Sequence, residues 1–390
     1  MNLKPLLTLK FYHIIYIVVA ILVMVSVIAS YSLTGELWQP ILQGIGGFVL
    51  MILVSKVNYQ KINRFYRIFF VLALVLLIVT VVFGKGGGGR SLSLGFMSFQ
   101  TFYLVTILYL FYLCTKSAYE MSNNITLDGK KTFVRLAVFA MFTGLIAMRN
   151  ISTAMLLFGT GMFVLFVSGI KPKYLGIFIL AIALAGGVYI GGSALKDKGK
   201  SEQVQNDETK TRGGTGYNRI KYWLTGESDV EGYGRQMTLA RTAVARSAHM
   251  PQPGKGIIKD KMPEGENDFV FSLICEELSV WTGIALLILY FILFFNITFL
   301  ISRKAKGNFV KLYSLAIALL ILGQVFIHVG TNINLIPATG QTLPFVSRGS
   351  TALFTTFFIF GTLINMGKQV LMNADKDDTE LNIETPNFNS

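Results

Sequence analysis

The sequence predicts an all-α polytopic membrane protein with ten transmembrane helices, both termini cytoplasmic, and one large outer loop between spans seven and eight. Three observations carry that prediction. Of the 390 residues, 53% are apolar and only 14% charged, where a water-soluble chain carries about 25% charged residues. Ten stretches are long and apolar enough to cross a hydrocarbon core, which takes about 20 helical residues. The Lys and Arg of the short loops fall unevenly on alternate sides, the signature of a fixed membrane orientation. The whole chain, 1–390, reads as one membrane domain.

The stretches are 11–31, 38–55, 66–84, 100–117, 132–149, 151–169, 174–192, 268–301, 311–330 and 350–369. The first resembles a secretory signal, but its apolar run exceeds the usual h-region and further spans follow, so it reads as a retained helix. Spans five and six are separated only by Arg149-Asn150 and should form a tight helical hairpin. Short gaps on the side of the N-terminus hold 18 Lys and Arg; those opposite hold Lys85, Arg90, Arg149 and Arg348. The net charge of +14 is thus a membrane-topology signal. Nucleic-acid binding is set aside because no basic stretch has aromatic stacking partners outside the membrane. Cys114 and Cys275 fall inside apolar runs and have no ligand spacing to a His, which argues against zinc.

The outer loop, about 193–267, holds the other 13 basic residues, and a cytoplasmic tail follows from about 370 to 390. From Arg235 to His249 the loop reads as a short helix with Arg235, Thr242, Arg246 and His249 on one face. That face is either solvated or turned towards anionic headgroups or a pyrophosphate. The glycine run from Gly84 to Ser91 lacks the strand and Gly-Lys-Ser/Thr order of a phosphate loop and reads as a flexible turn.

Two segments carry the chemistry. Met262-Pro263-Glu264-Gly265-Glu266-Asn267-Asp268-Phe269 places three acids in five residues where span eight begins. Read as one 34-residue helix, 268–301 would be about 50 Å long at 1.5 Å per residue, placing Asp268 near the outer interface. Glu276 would then share its side and Glu277 point away. Intramembrane acids are functional candidates by default; for Asp268 the alternative is an N-terminal acid favoured by the helix dipole. The second segment, Asn332 to Thr351, has two Pro, two Gly and several hydroxyls between two spans. Irregular backbone at that depth must be buried in protein or line a cavity, which predicts a re-entrant, cavity-lining segment.

These residues resemble the SEDS proteins (shape, elongation, division and sporulation), the FtsW/RodA peptidoglycan polymerases. The run from Asn334 to Thr351, NLIPATGQTLPFVSRGST, is similar to the family's G-L-L-P-x-x-G-x-x-L-P-F-x-S-x-G-G-S-S. MPEGENDF resembles L-P-E-x-x-T-D-F, and Glu276-Glu277-Leu278 the E-E-L-G that follows. Arg90, Gly95 and Gln100 fit R-W-I-x-x-G-x-x-x-x-Q, and Gln236 and Gly254-Lys255-Gly256 echo the large loop. The matches run from 90 to 351 in the family's order.

The resemblance implies a glycosyltransferase that polymerises lipid II into glycan strands at the outer face of the bacterial cytoplasmic (inner) membrane. It implies Asp268 as the essential acid, with Arg90, Gln100, Gln236, Arg241, Arg246, Lys255, Glu264, Asn332, Pro337, Pro344, Ser347 and Gly349 as substrate-binding candidates. The implied partners are lipid II, a class B penicillin-binding protein that crosslinks the strands, and other divisome or elongasome membrane proteins. No cofactor is assigned and a divalent cation is left open. The Gly340-Gln341-Thr342-Leu343-Pro344 wording leans to the division type, FtsW. Glycosyl transfer needs a base for the acceptor hydroxyl, and cations such as Arg235, Arg241, Arg246, Lys255 and Arg90 suit the departing pyrophosphate.

The chain departs from the family where Q-P-S-E and a Lys are usual in span four: Thr101, Phe102, Tyr103 and Thr106 stand there. Arg149, Asn150, Ile151, Ser152, Thr153 and Ala154 stand for P-D-L-G-T-A, and Ser350 for the second Gly of S-x-G-G. Arg149 and Arg348 are candidates to compensate. These departures keep a non-catalytic scaffold for a crosslinking enzyme open as an alternative. A lipid-linked precursor flippase is the other, since ten spans with re-entrant segments also describe transporters; the few ionisable groups inside the spans, His13, His328, Glu276 and Glu277, weigh against it.

Overall fold

A computed structural model describes residues 11–84, 92–94, 97–99, 101–125, 129–182, 184, 223, 233–247, 253–262, 265–302, 305–337 and 339–383 of the chain. The architecture is a helical bundle. In order come α1 (Phe11–Thr34), α2 (Trp38–Lys56), α3 (Tyr59–Asn63), α4 (Tyr66–Phe83), α5 (Thr101–Ser122), α6 (Gly129–Ala147), α7 (Ile151–Val167) and α8 (Pro172–Ile182). They are followed by α9 (Tyr233–Ala245), α10 (Gly265–Asp268), α11 (Val270–Leu278), α12 (Val280–Phe295), α13 (Asn308–Asn332) and α14 (Ser350–Ile383).

Among the described residues, seven helices are long and apolar enough to cross a membrane: α1, α2, α4, α5, α12 with its extension to Phe299, α13, and α14 as far as Val370. The chain is therefore a polytopic helical membrane protein. α6, α7 and α8 coincide with the other three predicted spans. α7 and the described part of α8 are shorter, and the first two turns of α6 carry Lys130, Lys131 and Arg135. α6 and α7 form the expected tight hairpin, with Asn150 capping α7 by accepting from the Thr153 amide at 3.1 Å.

α5, α13 and α14 lie at the centre, while α1, α2, α4 and α12 turn most of their apolar surface outward. Ile17, Met24, Val71, Ile288 and Phe291 are among the exposed large side chains, as a lipid-facing periphery requires. Close helix approach is made by small residues. A Cβ added to Gly47 would stand 2.1 Å from the Phe357 ring, and one on Gly361 2.8 Å from the Met51 carbonyl. The two contacts lock α2 against α14 from both sides. At one end of the bundle the buried Arg135 pairs with Glu120, joining α6 to α5.

The connection between α4 and α5 includes a short antiparallel hairpin, Leu92–Leu94 with Met97–Phe99, pairing Leu92 with Phe99. Ser alternates with Leu, Met and Phe in those strands, the two-residue period of a β-strand. The glycine run itself, 85–90, lies outside the described residues.

One expectation is corrected, in the region of Asp268. The 34-residue helix does not exist: the chain is divided into α10, α11 and α12, with a π-helical extension over Asn296–Ser302. Ser279 makes the main break at φ 99° and ψ 150°, a region that residues with a side chain rarely occupy. Its amide still bonds the Cys275 carbonyl at 3.1 Å, while its hydroxyl caps α12 by accepting from the Trp281 amide at 3.2 Å. A Cβ on Gly283 would lie 2.6 Å from Cys275 Sγ. Residues eight apart in a straight helix are separated by about 12 Å, so α11 folds back on α12 at Ser279. Asp268 is consequently not carried outward on a long projecting helix.

Candidate active site

Asp268 ends a single helical turn, α10, and is half-buried. One turn cannot sustain itself, because nucleating a helix fixes several dihedrals for one hydrogen bond. Its position is set by side chains from elsewhere. Asn332, buried at the end of α13, donates from Nδ2 to the Asp268 carbonyl at 3.2 Å. Its Oδ1 accepts from the Ser272 amide at 2.9 Å, so one side chain spans the junction of α10 and α11. Ser347 Oγ donates to the Asn267 carbonyl at 2.7 Å. The main chain of the acid is thus gripped by two residues of the predicted closing cluster.

That cluster, 333–349, is irregular, and Gln341 to Ser347 are buried. Its polar backbone must therefore be satisfied by neighbours. His328 Nδ1 bonds the Gln341 carbonyl at 2.6 Å, Gln324 donates to the Thr342 carbonyl at 3.0 Å, and Ser26 donates to the Val346 carbonyl at 2.8 Å. The Tyr290 hydroxyl donates to the Pro344 carbonyl. Ser152 reaches the Thr339 carbonyl at 3.1 Å, and the Trp223 indole the Asn334 carbonyl at 3.2 Å. Ser347 Oγ also accepts from the Leu343 amide at 2.8 Å, closing the turn that contains Pro344. Phe345 holds a positive φ of 63° there, wedged edge-on against Phe357 and Phe360. Pro337 and Gly349 are half-buried at the two ends. The segment expected to line a cavity is instead packed into the protein from Gln341 to Ser347.

A second segment reaches the same region from the other side. The amides of Gly254 and Gly256 donate to the Glu277 carboxylate, the latter at 3.1 Å, and those of Ile257 and Ile258 to Glu276, each at 3.3 Å. Lys259 Nζ stands 3.2 Å from Glu277, and Ser32 Oγ donates to it at 2.7 Å. Gly256 is required by the close approach, since a Cβ would meet Glu277 Oε1 at 2.5 Å. Both acids grip 254–258, Glu277 through the amides of Gly254 and Gly256 and Glu276 through those of Ile257 and Ile258.

This clamp seats α9. Met237, Ala240 and Ala243 pack with Ile258, Met262, Phe269 and Leu273, an apolar cluster directly behind Asp268. α9 thereby presents exposed Arg235 and Arg241 and half-buried Gln236, and Lys255 is exposed on the clamped segment. Arg246 is also exposed, with Nε 3.7 Å from Glu276. Arg90, Gln100, Glu264 and His249 lie outside the described residues.

The two compensation candidates separate. Arg149, in the turn between α6 and α7, donates to the Val81 carbonyl at 2.9 Å and ties that turn to α4. Arg348 is paired with Glu266 and Glu36 and accepts a further partner in Gln39, 3.0 Å away. Burial works against its charge, but the two carboxylates outweigh it and hold its pKa above the ordinary value. In place of the span-four acid and base, Thr101, Phe102, Tyr103 and Thr106 are buried, and Thr106 bonds back to the Phe102 carbonyl. Sequence reasoning did not find the anchoring roles of Ser26, Ser32, Tyr290 and Gln324. Each is a polar residue on a mostly apolar helix, and that was the available signal. Among the described residues no three His, Cys, Asp or Glu are grouped as metal ligands.

Over residues 4–371 the sequence matches the family model FtsW/RodA/SpoVE, described as cell cycle proteins. The chain belongs to that family. It is 26% identical over 381 residues to a probable peptidoglycan glycosyltransferase FtsW of Thiomicrospira cyclica, covering 94% of this chain and 91% of the relative. It is 24% identical to the peptidoglycan glycosyltransferase MrdB of Escherichia coli K12, with 82% of each covered. Stage V sporulation protein E of Bacillus subtilis is 26% identical, with 85% of this chain and 86% of the relative covered. The fold is shared with a chain of a peptidoglycan synthase complex that coordinates polymerization and crosslinking, at TM-score 0.71, 19% identity and 92% and 98% coverage. It is shared likewise with the rod shape determining protein RodA of Thermus thermophilus, at TM-score 0.64, 17% identity and 92% and 96% coverage.

Proposed function

We propose that this family member is a peptidoglycan glycosyltransferase that polymerises lipid II, with Asp268 as the general base. The observation that carries the reading is the double grip on the main chain of residues 267 and 268 by Ser347 and Asn332. Two sequence-distant motifs converge there on one half-buried acid, which is the preorganisation that proton abstraction needs.

In the reaction, the Asp268 carboxylate takes the proton from the acceptor sugar hydroxyl. The hydroxyl oxygen bonds the donor's anomeric carbon as the bond from that carbon to the pyrophosphate oxygen breaks. Undecaprenyl pyrophosphate leaves with the electron pair and needs no carboxylic acid to protonate it. Cations suit the charge that builds on it. Arg241 and Arg235 on α9 and Lys255 on the clamped segment are exposed for that task. Arg246 is shared with Glu276.

The same reading gives one membrane domain of ten spans, with α6, α7 and α8 completing the seven longer helices. The excess of Lys and Arg in alternate short loops supports cytoplasmic termini and an outward-facing Asp268 in the bacterial inner membrane. The solved relative from a synthase complex supports a crosslinking partner, which we assign as a class B penicillin-binding protein. The wording from Gly340 to Pro344 is the ground for the division type. The identities of 26% to FtsW and 24% to MrdB do not separate the two. The test is reconstitution of the purified chain and its partner with lipid II. Wild type yields glycan strands and Asp268→Ala does not; equal synthesis by the variant removes Asp268 from the mechanism.

A further inference from the structure

We infer that Arg348 is a positioning residue for this transfer: it ties the turn between α1 and α2 to Glu266 and so fixes the helical turn that ends in Asp268. The inference rests on Asp268 being the catalytic base. Three successive residues of α10 are each held by a different side chain. Glu266 is held by Arg348, the Asn267 carbonyl by Ser347, and the Asp268 carbonyl by Asn332. The last two hold the main chain from the buried side. Arg348 supplies the remaining hold, and Ser347, next to it in sequence, delivers it to the right place.

The guanidinium suits this role because it presents donors in a planar fork. Nη1 engages Glu266 and lies 3.5 Å from Thr34 Oγ1, while Nη2 engages Glu36 and Gln39. Its side chain is only 17% exposed, against 57% for Glu36 and 31% for Glu266. Arg348 is therefore the inner member of the network, and Glu36 and Gln39 are struts that orient it. Thr34, Glu36 and Gln39 sit at the end of α1, in the turn and at the start of α2, so two long helices brace a single-turn one. Without the arginine, Glu266 would lose its counter-charge two residues from the base.

Exposed ion pairs contribute little to stability, so the consequence is expected in the rate. A displacement of about 1 Å at a reacting group costs on the order of 10²-fold. The test is lipid II polymerisation by the full chain with its crosslinking partner, in parallel with thermal unfolding in detergent. Arg348→Ala should lower kcat by about 10- to 100-fold with KM within about twofold. Arg348→Lys, which keeps the charge but not the fork, should recover part of the loss. Glu266→Ala should lose as much as Arg348→Ala, and the double variant no more than either, because they remove one and the same contact. Glu36→Gln should lose less.

Asp268→Ala is run alongside. If it is inactive while Arg348→Ala and Glu266→Ala keep wild-type kcat, the positioning role is wrong and the base stands. Additive losses, or losses confined to KM, also overturn the positioning role. Activity in Asp268→Ala overturns the base itself. Should Arg348→Ala fail to fold, Arg348→Lys and Glu266→Ala decide: wild-type kcat in both refutes the inference.

Discussion

Two irregular segments pack against the helices around Asp268, Glu276 and Glu277, and they are held in opposite ways. In 254–258, main-chain amides donate to the side-chain carboxylates of Glu276 and Glu277. In 339–347, side-chain hydroxyl, amide and imidazole groups bond main-chain carbonyls. The first hold is charged and uses few residues, and its glycines let the backbone approach. The second is neutral and distributed over α1, α7, α12 and α13. The difference teaches why they sit where they do. The neutral hold reaches the main chain of Asp268 without adding a like charge to it. The charged hold sits a turn or more along α11 and seats α9 with its exposed arginines.

The comparison can be broken at its charged side first. Glu277→Ala removes the counter-charge of Lys259 and the acceptor of the Gly256 amide, and leaves Lys259 and the Gly254 amide only their bonds to Ser32. Breaking such a buried arrangement costs about 3–5 kcal/mol. The expected outcome is rapid hydrogen exchange at Gly254 and Gly256, with the amides that bond Glu276 less affected. Retained protection would show that the packing of α9 alone seats the segment.

The neutral side should yield a smaller effect. Asn332→Ala removes a donor from the Asp268 carbonyl and the acceptor of the Ser272 amide, a loss of about 1–3 kcal/mol. Exchange should quicken at Ser272 and the polymerisation rate fall, with 254–258 still protected. Loss of protection in both segments together would mean that they are one cooperative unit.

The smallest effect is a gain. Ser279 occupies a glycine-like conformation, and the motif it belongs to ends in glycine in the family. Ser279→Gly should relieve backbone strain of about 1–3 kcal/mol, less a few tenths for the lost cap. Chemical denaturation should show a stabilised protein; an unchanged or lowered midpoint would mean that the serine cap outweighs the strain.

Ser279 also marks the limit of what the sequence showed. The apolar runs predicted most helices to within a few residues, because a span's length is dictated locally by the hydrocarbon core. The irregular backbone of 341–347 between two spans followed from its composition, again a local argument, but its packing into the protein in place of a cavity did not. The break at 279 did not follow: Val-Trp and Glu-Leu flank a serine, with no Gly or Pro at the break to mark it. The partners of Glu276 and Glu277 lie 18 to 23 residues away in an irregular segment, beyond the reach of a local reading. Asp268 was singled out from its own segment and the family resemblance, whereas its support by Asn332, 64 residues away, required the fold. Arg348 stood out only as a charge where the closing motif tolerates any residue.

The central claim is that Asp268, held through the main chain by Asn332 and Ser347, is the base of the transfer. Its most direct test is Asp268→Asn, which keeps the size of the side chain and the main-chain bonds to Asn332 and Ser347 but cannot accept the proton. The account predicts a rate of lipid II polymerisation lower by about 10²- to 10⁴-fold, with lipid II binding and thermal unfolding unchanged. Polymerisation at the wild-type rate would contradict it.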